Sequence, residues 1–516
     1  MVPALNRSEV PPTTMSSNQS EIASAIRLPS VLAIGFTGHR SLPDEAKSRE
    51  SIRGFLREQK EKSSAVVYGV SSAAAGGDLL FAESCLEFEI PLRILLPLPK
   101  EEFRKDFDAA TWLRAEAVMS MAVSVEVTGD GEIRNEAHYE CGVETVQQSQ
   151  LMIALWDGDS SRGTGGTGEI KEFAEKMGKP VIWIHSATGA IQVLNEPALR
   201  ELEKLEDAEL EFLNSLPDAG VMLSSHSRTE LAKAWLKKTD ENASRLAPQV
   251  RRLSSIPIAY TAAAAFFSGA GLKMPHPETW LAVGTGLGIT AAALPFVLRL
   301  DQRQMLWART RTAAEVCRSI LALWAAPVQD EAIGEEIVPE LAGTLRSLKL
   351  LKALDSSSNA VSLDEFKTRY RKERVRDQID YFSMNAERSA RRGKKYRNFS
   401  LVCIGLAIII AGLVFVLGMK FKQPSLVTVQ NWLSVAISAL FQLATIAGAL
   451  LIVHDCERRQ RRYREFQNWL EQWDAELVNL RTWSTVLKVA VRIERALLVE
   501  LLEWKSLVRN VKLPRK

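Results

Sequence analysis

The chain has 516 residues, with 65 basic and 62 acidic side chains for a net charge of +3, and 46% of its residues are hydrophobic. That length exceeds one ordinary core and points to two or three domains, while the near-balanced charge argues against a nucleic-acid partner. The five cysteines, Cys85, Cys141, Cys317, Cys403 and Cys456, show no CxxC or Cys/His ligand spacing, which argues against a metal site or a disulfide framework and fits a reducing compartment.

Residues 1–29 are polar, with Pro11, Pro12 and many serines, and lack the apolar run of a signal peptide. They read as a disordered tail. Residues 30–190 then alternate short apolar runs with helical patterns. Val31–Phe36, Ala65–Val70, Leu92–Leu96, Val123–Val127, Leu151–Trp156 and Val181–His185 read as strands. Helices are expected from Pro43 to about Lys60, from Asp78 to about Glu89, over Asn135–Gln150 and up to Met177. Continuously apolar strands alternating with helices predict an α/β parallel-sheet, Rossmann-like domain covered on both faces.

Glycine-rich segments fall at the C-terminal ends of three of these strands, where such sheets form their ligand crevice. The first holds Gly35, Thr37, Gly38 and Arg40. The second holds Gly76, Gly77 and Asp78. The third runs from Asp157 and Gly158 through Arg162, Gly165, Gly166 and Thr167 to Glu169. Glycine permits close backbone approach to a phosphate, and the following helix start offers free N–H groups. Arg40 or Arg162 adds charge, and Asp78 or Glu169 accepts ribose hydroxyls or caps a helix. The candidate ligand is therefore a nucleotide-like anion. His39 is assigned no catalytic role, and His138 and Tyr139 read as packing or surface residues.

Residues 191–250 read as a helical linker. Four stretches then lack any Asp, Glu, Lys or Arg: Ile256–Leu272, Trp280–Leu298, Phe399–Met419 and Leu433–Val453. Each approaches or reaches the roughly 20 residues that cross a bilayer. The expected layout is a first transmembrane hairpin with its following helix at 251–325, cytoplasmic helices at 326–398, a second hairpin at 399–455 and C-terminal cytoplasmic helices at 456–516. Basic residues flank each pair on the outside, such as Arg391, Arg392, Lys394, Lys395 and Arg397 before the third stretch and Arg458, Arg459, Arg461, Arg462 and Arg464 after the fourth. That asymmetry puts both termini in the cytoplasm of a multi-pass inner-membrane protein, and the basic clusters attract anionic lipid. Gln442 sits mid-span and needs a partner, a neighbouring helix or a water-filled space. Gly284, Gly286 and Gly288 permit close helix approach rather than dinucleotide binding.

Phe36-Thr-Gly-His-Arg40, Ala75-Gly-Gly-Asp78, Leu155-Trp-Asp-Gly158 and Gly165-Gly-Thr-Gly-Glu169 together resemble the SLOG superfamily, a Rossmann-like group of LOG-type enzymes and nucleotide sensors. The paired spans and Ala314-Glu-Val-Cys-Arg-Ser resemble the SLATT group of membrane modules found in bacterial defence systems. The resemblance implies a nucleotide-derived ligand and a membrane effector that forms pores or disrupts the bilayer. A homo-oligomer is expected, because four helices alone rarely enclose an aqueous path. The resemblance also implies an alternative, a membrane-tethered nucleotide or N-glycoside hydrolase. Set against the LOG pattern PGGxGTxxE, Gly165, Gly166 and Gly168 match, Thr164 and Glu169 depart, and Glu172 stands at the catalytic glutamate; an equally open register takes Gly163-Thr-Gly-Gly-Thr as the turn and leaves Glu172 out on the helix. A membrane scaffold is the third reading.

Overall fold

The computed structural model describes residues 26–128, 133–159, 165–204, 208–218, 227–271, 276–327, 337–355, 361–420, 424–453 and 455–509. These fall into two compact units. One comprises residues up to Lys238 with Val316–Ala360, and the other Thr239–Glu315 with Val361 onward.

The first unit is built on a seven-stranded sheet. Its strands are β1 (Val31–Gly38), β2 (Val66–Ser71), β3 (Leu92–Leu96), β4 (Ser124–Val127), β5 (Leu151–Trp156), β6 (Val181–His185) and β7 (Ile191–Leu194). The spatial order is β4-β3-β2-β1-β5-β6-β7. Every pairing is parallel except β6 with β7. Helices α1 (Glu45–Lys62), α2 (Gly77–Glu87), α3 (Lys100–Phe103), α4 (Ala109–Met121), α5 (Arg134–Gln147) and α6 (Thr167–Lys176) connect the parallel strands. All five residues of β3 are buried, the pattern of a strand with two covered faces.

Side chains alternate across each strand, and the sheet uses both sides. Ile34, Phe36, Val67, Ile94, Ile153 and Leu155 pack with Leu56 of α1, Phe81 of α2 and Trp112 of α4. On the other face, Val31, Ala33, Tyr68, Val70 and Leu95 meet Cys141 of α5 and a residue distant in sequence, Leu350. Met152 and Ala154 meet Val146 of α5 and Ile170 of α6 there. Helix α7 (Glu196–Lys204) and α8 (Ala208–Asn214) follow β7.

Two expectations change here. Ile191–Leu194, read as the start of a linker, is an antiparallel edge strand. The chain reverses at Gly189, which has φ of +70° and donates its N–H to the His185 carbonyl. The tail expected over 1–29 ends earlier. Ile26 and Leu28 are buried, and Asn214 holds both the N–H and the carbonyl of Leu28. The buried Lys238 ammonium donates to the carbonyls of Ile26 and Asn214 at 3.1 and 2.8 Å. The rest of the tail lies outside the described residues.

Four long helices carry the apolar stretches: α9 (Arg228–Gly271), α10 (Pro277–Val297), α14 (Asp377–Lys420) and α15 (Pro424–Val453). All four are long and apolar enough to cross a membrane. Between them come α11 (Leu300–Ala322), α12 (Ala342–Ala353) and α13 (Leu363–Tyr370), and after them α16 (Cys456–Asn479) and α17 (Trp483–Arg509). Within the second unit, Gly284 of α10 lies against Ser268 and Ala264 of α9, and Ala270 of α9 packs with Val435 of α15. Gln442 faces α9 at Gly269; its Oε1 is buried and has no hydrogen-bond partner among the described residues. Ser400 of α14 donates to the Ala444 carbonyl of α15. Phe415, Ile409, Phe296 and Ile452 remain mostly exposed, an apolar surface of the kind that meets lipid rather than water.

The polar N-terminal part of α14 pairs with α16 through Phe382 against Phe466, ring centroids 5.2 Å apart. Arg371–Arg376 form a π-helical turn between α13 and α14. Arg374 in that turn binds Glu494 with Nε at 3.0 Å and Nη2 at 2.7 Å, and Nη2 also reaches Glu315 at 2.9 Å. Tyr370 donates to Glu494 at 2.8 Å. All five cysteines are buried and free.

Candidate functional site

The strand order reverses at β1. The chain steps outward through β2, β3 and β4, then returns to place β5 on the other side of β1. Between diverging connections of this kind a crevice opens beyond the strand C-termini. A cavity of about 390 Å³ lies there. Thr37, Gly38, His39 and Arg40 enter from the end of β1, Trp156 from the end of β5, Ser72, Ala74 and Asp78 from the turn into α2, and Gly165–Gly168 from the turn into α6.

The turns fit because glycine occupies the contact points. The His39 carbonyl accepts from Gly77 N–H at 2.9 Å, tying the first two turns together. Gly76 has φ of +89°, and a Cβ there would sit 2.3 Å from the His39 oxygen and 2.4 Å from the Arg40 oxygen. Gly165 has φ of +79°, with a would-be Cβ 2.9 Å from Tyr139 N. Neither Gly76 before α2 nor Gly166 before α6 makes a side-chain cap. The first turns of both helices therefore bring the positive end of a helix dipole to the cavity.

Asp78 is buried and accepts from Gly38 N–H at 3.1 Å and Ser72 Oγ at 2.9 Å. Burial pushes its carboxyl up from 3.8 to about 6, against the pull of Ser72, the Gly38 amide and Arg40. Folding thus raises its proton affinity, so its contribution to stability is complete below 3.8 and fades as pH rises through about 6. Asp78→Asn is expected to flatten that limb. Melting temperatures of both proteins between about pH 4 and 7 test this, and parallel curves would refute it.

Arg40 is half-exposed at the mouth. Its Nη2 lies 3.3 Å from His138 Nε2 and 3.6 Å from Asp106 Oδ2. Asp106 also meets His138 at 3.2 Å and pairs with Arg134. Burial first, then the Arg40 charge, lowers the His138 pKa, keeping the imidazole neutral at physiological pH. His39 Nε2 faces the main-chain N–H of Asp157 at 3.1 Å and its carboxylate at 3.0 Å. One tautomer accepts from the former; the other donates to the latter.

The candidate residues divide by position. Thr37, Gly38, Arg40, Asp78, Gly165, Gly166 and Thr167 line the cavity. Gly76 and Gly77 shape its wall from behind. Gly35 lies inside β1, where a Cβ would strike Ser149 Oγ at 2.2 Å, so it serves packing. Asp157 holds His39, and Gly158, with φ of +92°, lies beside Trp183. Glu169 Oε2 accepts from Gly165 N–H at 2.8 Å and closes the third turn. Glu172 points to solvent, paired with Lys176 at 2.8 Å. Neither glutamate lines the cavity. Arg162 lies outside the described residues.

One whole wall was not anticipated from sequence. Asn135, His138, Cys141, Gly142 and Thr145 of α5 face the cavity. Positions 138, 141, 142 and 145 follow the i, i+3, i+4, i+7 spacing of one helix face, and that stripe of small or polar residues was the available signal. Gly142 admits Ile170 of α6, which would stand 2.4 Å from a Cβ there. Among the described residues, no three His, Cys, Asp or Glu side chains gather into a metal-binding group. The chain matches no protein-family model and no curated protein.

Proposed function

We propose that the cavity at the end of β1 and β5 binds a small phosphate-bearing, nucleotide-derived ligand, and that the chain is a multi-pass membrane effector switched by that ligand. One observation carries the reading. Three glycine turns and two helix starts without side-chain caps converge on a single cavity, in a chain that also holds four helices able to cross a membrane. The main chain of Thr167 and Gly168 at the start of α6, which lines the cavity, and the Arg40 guanidinium offer what a phosphate needs. The resemblance to SLOG and SLATT modules supports a role in bacterial defence, by pore formation or membrane disruption.

In this reading the four apolar helices form two hairpins in the inner membrane, with both termini cytoplasmic. The arginine clusters flanking each pair support that orientation. Several copies assemble to enclose an aqueous path. A ligand shifts such an equilibrium only by its difference in affinity between the two states, about 1.4 kcal/mol for each factor of ten.

A route for that difference exists within the first unit. Cys141 lines the cavity and packs in one cluster with Leu350 of α12. Ligand contacts that move α5 thus reach the helix that follows α11. Leu350→Ala is expected to lower stability by about 2–4 kcal/mol and, at equal ligand occupancy, to reduce the response. The decisive experiment is dye or ion leakage from vesicles carrying the full chain, with and without nucleotides that raise its melting temperature. Leakage rising with occupancy supports the proposal. A saturated cavity with unchanged leakage removes the switching role.

A further inference from the structure

A second cavity, of about 730 Å³, lies between α16 and α17. We infer that it holds one anionic membrane lipid by its phosphodiester, with a hydroxyl-bearing headgroup below. This site is separate from the sheet cavity and stands independently of the ligand reading.

The last apolar block ends at Val453. Asp455, with φ of +42°, breaks the helix, and α16 starts at Cys456. Arg458, Arg461 and Arg462 line the cavity five to nine residues beyond the block, in the first two turns of α16, about 3–9 Å from its start. Helical side chains lean toward their own N-terminus, which for α16 is the end nearer the apolar block. Arg458 shows this lean by reaching back to Asp455, while Arg462 donates across to the Glu500 carbonyl of α17. The planar guanidinium forks match phosphate oxygens in pairs.

The remainder of the cavity suits what hangs below a phosphate. Phe466, Trp469 and Val499 form an apolar floor, with Trp469 and Val499 both nearly half-exposed. Glu465 and Glu500 also line it, and their carboxylates accept from hydroxyls. Arg462 lies 3.5 Å from Glu500, and Arg458 lies 3.7 Å from Asp455. Arg458 and Arg462 each have a carboxylate partner, whereas Arg461 has no ion-pair partner among the described residues, and its uncompensated charge favours an anionic lipid over a zwitterionic one. A diffuse basic surface would attract lipid too, but needs no cavity or aromatic floor. The clustered Arg391 and Arg392 on α14 supply that comparison.

The test uses the full chain in neutral detergent micelles, titrated with phosphatidylglycerol, phosphatidylcholine, glycerol 3-phosphate or inorganic phosphate, and read by native mass spectrometry and thermal unfolding. Saturable binding of one phosphatidylglycerol per chain is expected, with weaker phosphatidylcholine binding. Arg461→Gln, at an exposed position, should weaken phosphatidylglycerol about fivefold. Arg391→Gln with Arg392→Gln should leave this site unchanged. Glu465→Ala, at an exposed position, should erase the preference for phosphatidylglycerol over phosphatidic acid, a further titrant that has no headgroup alcohol. Equal binding of phosphatidylcholine, equally tight binding of the soluble phosphates, or an equal loss from the α14 pair would overturn the inference. Unfolding without lipid confirms that each variant is folded.

Discussion

Gly76→Ala should unfold the sheet unit at a temperature lower by roughly 6–12 °C and abolish ligand binding in the cavity. The added Cβ would meet two main-chain oxygens, of His39 and Arg40, at 2.3 and 2.4 Å. A side chain in its path could rotate away, but the His39 carbonyl, held by the Gly77 N–H just beyond the end of β1, cannot. The residue also sits at φ of +89° and ψ of −128°, a region that costs a non-glycine residue on the order of 1–3 kcal/mol by itself. A total of about 3 kcal/mol gives that shift for a unit of this size. Gly54→Ala is the matched control. Gly54 lies in the middle of α1 with nothing within 4 Å of where an added methyl would sit, and alanine there should stabilise by up to about 1 kcal/mol. Differential scanning fluorimetry of the two variants should move in opposite directions. A neutral Gly76→Ala would mean that the turn is not rigid.

Glu494→Leu should be the most damaging single change in the second unit, at about 3–5 kcal/mol. Glu494 is fully buried and the Arg374 side chain is 5% exposed. Burial works against the guanidinium charge, but Glu494 and Glu315 more than offset it and hold Arg374 firmly protonated. Removing Glu494 leaves that charge in a buried site with Glu315 as its carboxylate partner, and Tyr370 keeps only the Ala490 carbonyl, at 3.2 Å, as an acceptor. Adding Arg374→Met should recover most of the loss, because a buried pair replaced by apolar groups of similar volume is often close to neutral. Thermal unfolding of both variants in micelles makes the comparison. A double variant as unstable as the single one would locate the importance of Arg374 elsewhere, in the shape of the π-helical turn.

The strands were legible because each buried strand is a continuous apolar run bounded by glycine, proline or polar residues. Leu92–Leu96, Leu151–Trp156 and Val181–His185 begin and end as their residues indicate. The edge strand β7 was not, since its four residues are largely exposed and carry no buried-strand signature. Glycines show the limit of sequence most clearly. Gly35 and Gly76 look equivalent as glycines at strand ends, yet one clears space for Ser149 and Met152 while the other supports a left-handed backbone. The wall from α5 and the seat of Leu350 were hidden for a different reason. Periodicity identifies which face of a helix is apolar, but not which distant segment covers it. Leu350 meets strands more than 250 residues earlier.

The buried thiols have a practical corollary. All five native thiols are buried, and desolvation pushes Cys85, Cys141, Cys317 and Cys456 away from the thiolate, the species that alkylating reagents attack. A maleimide fluorophore should therefore select one introduced cysteine over the native background, with no need for a cysteine-free parent. A single dye at the exposed Ser41 or Asn468, neither of which lines a cavity, would then report occupancy of the sheet cavity or of the α16–α17 cavity in separately labelled proteins.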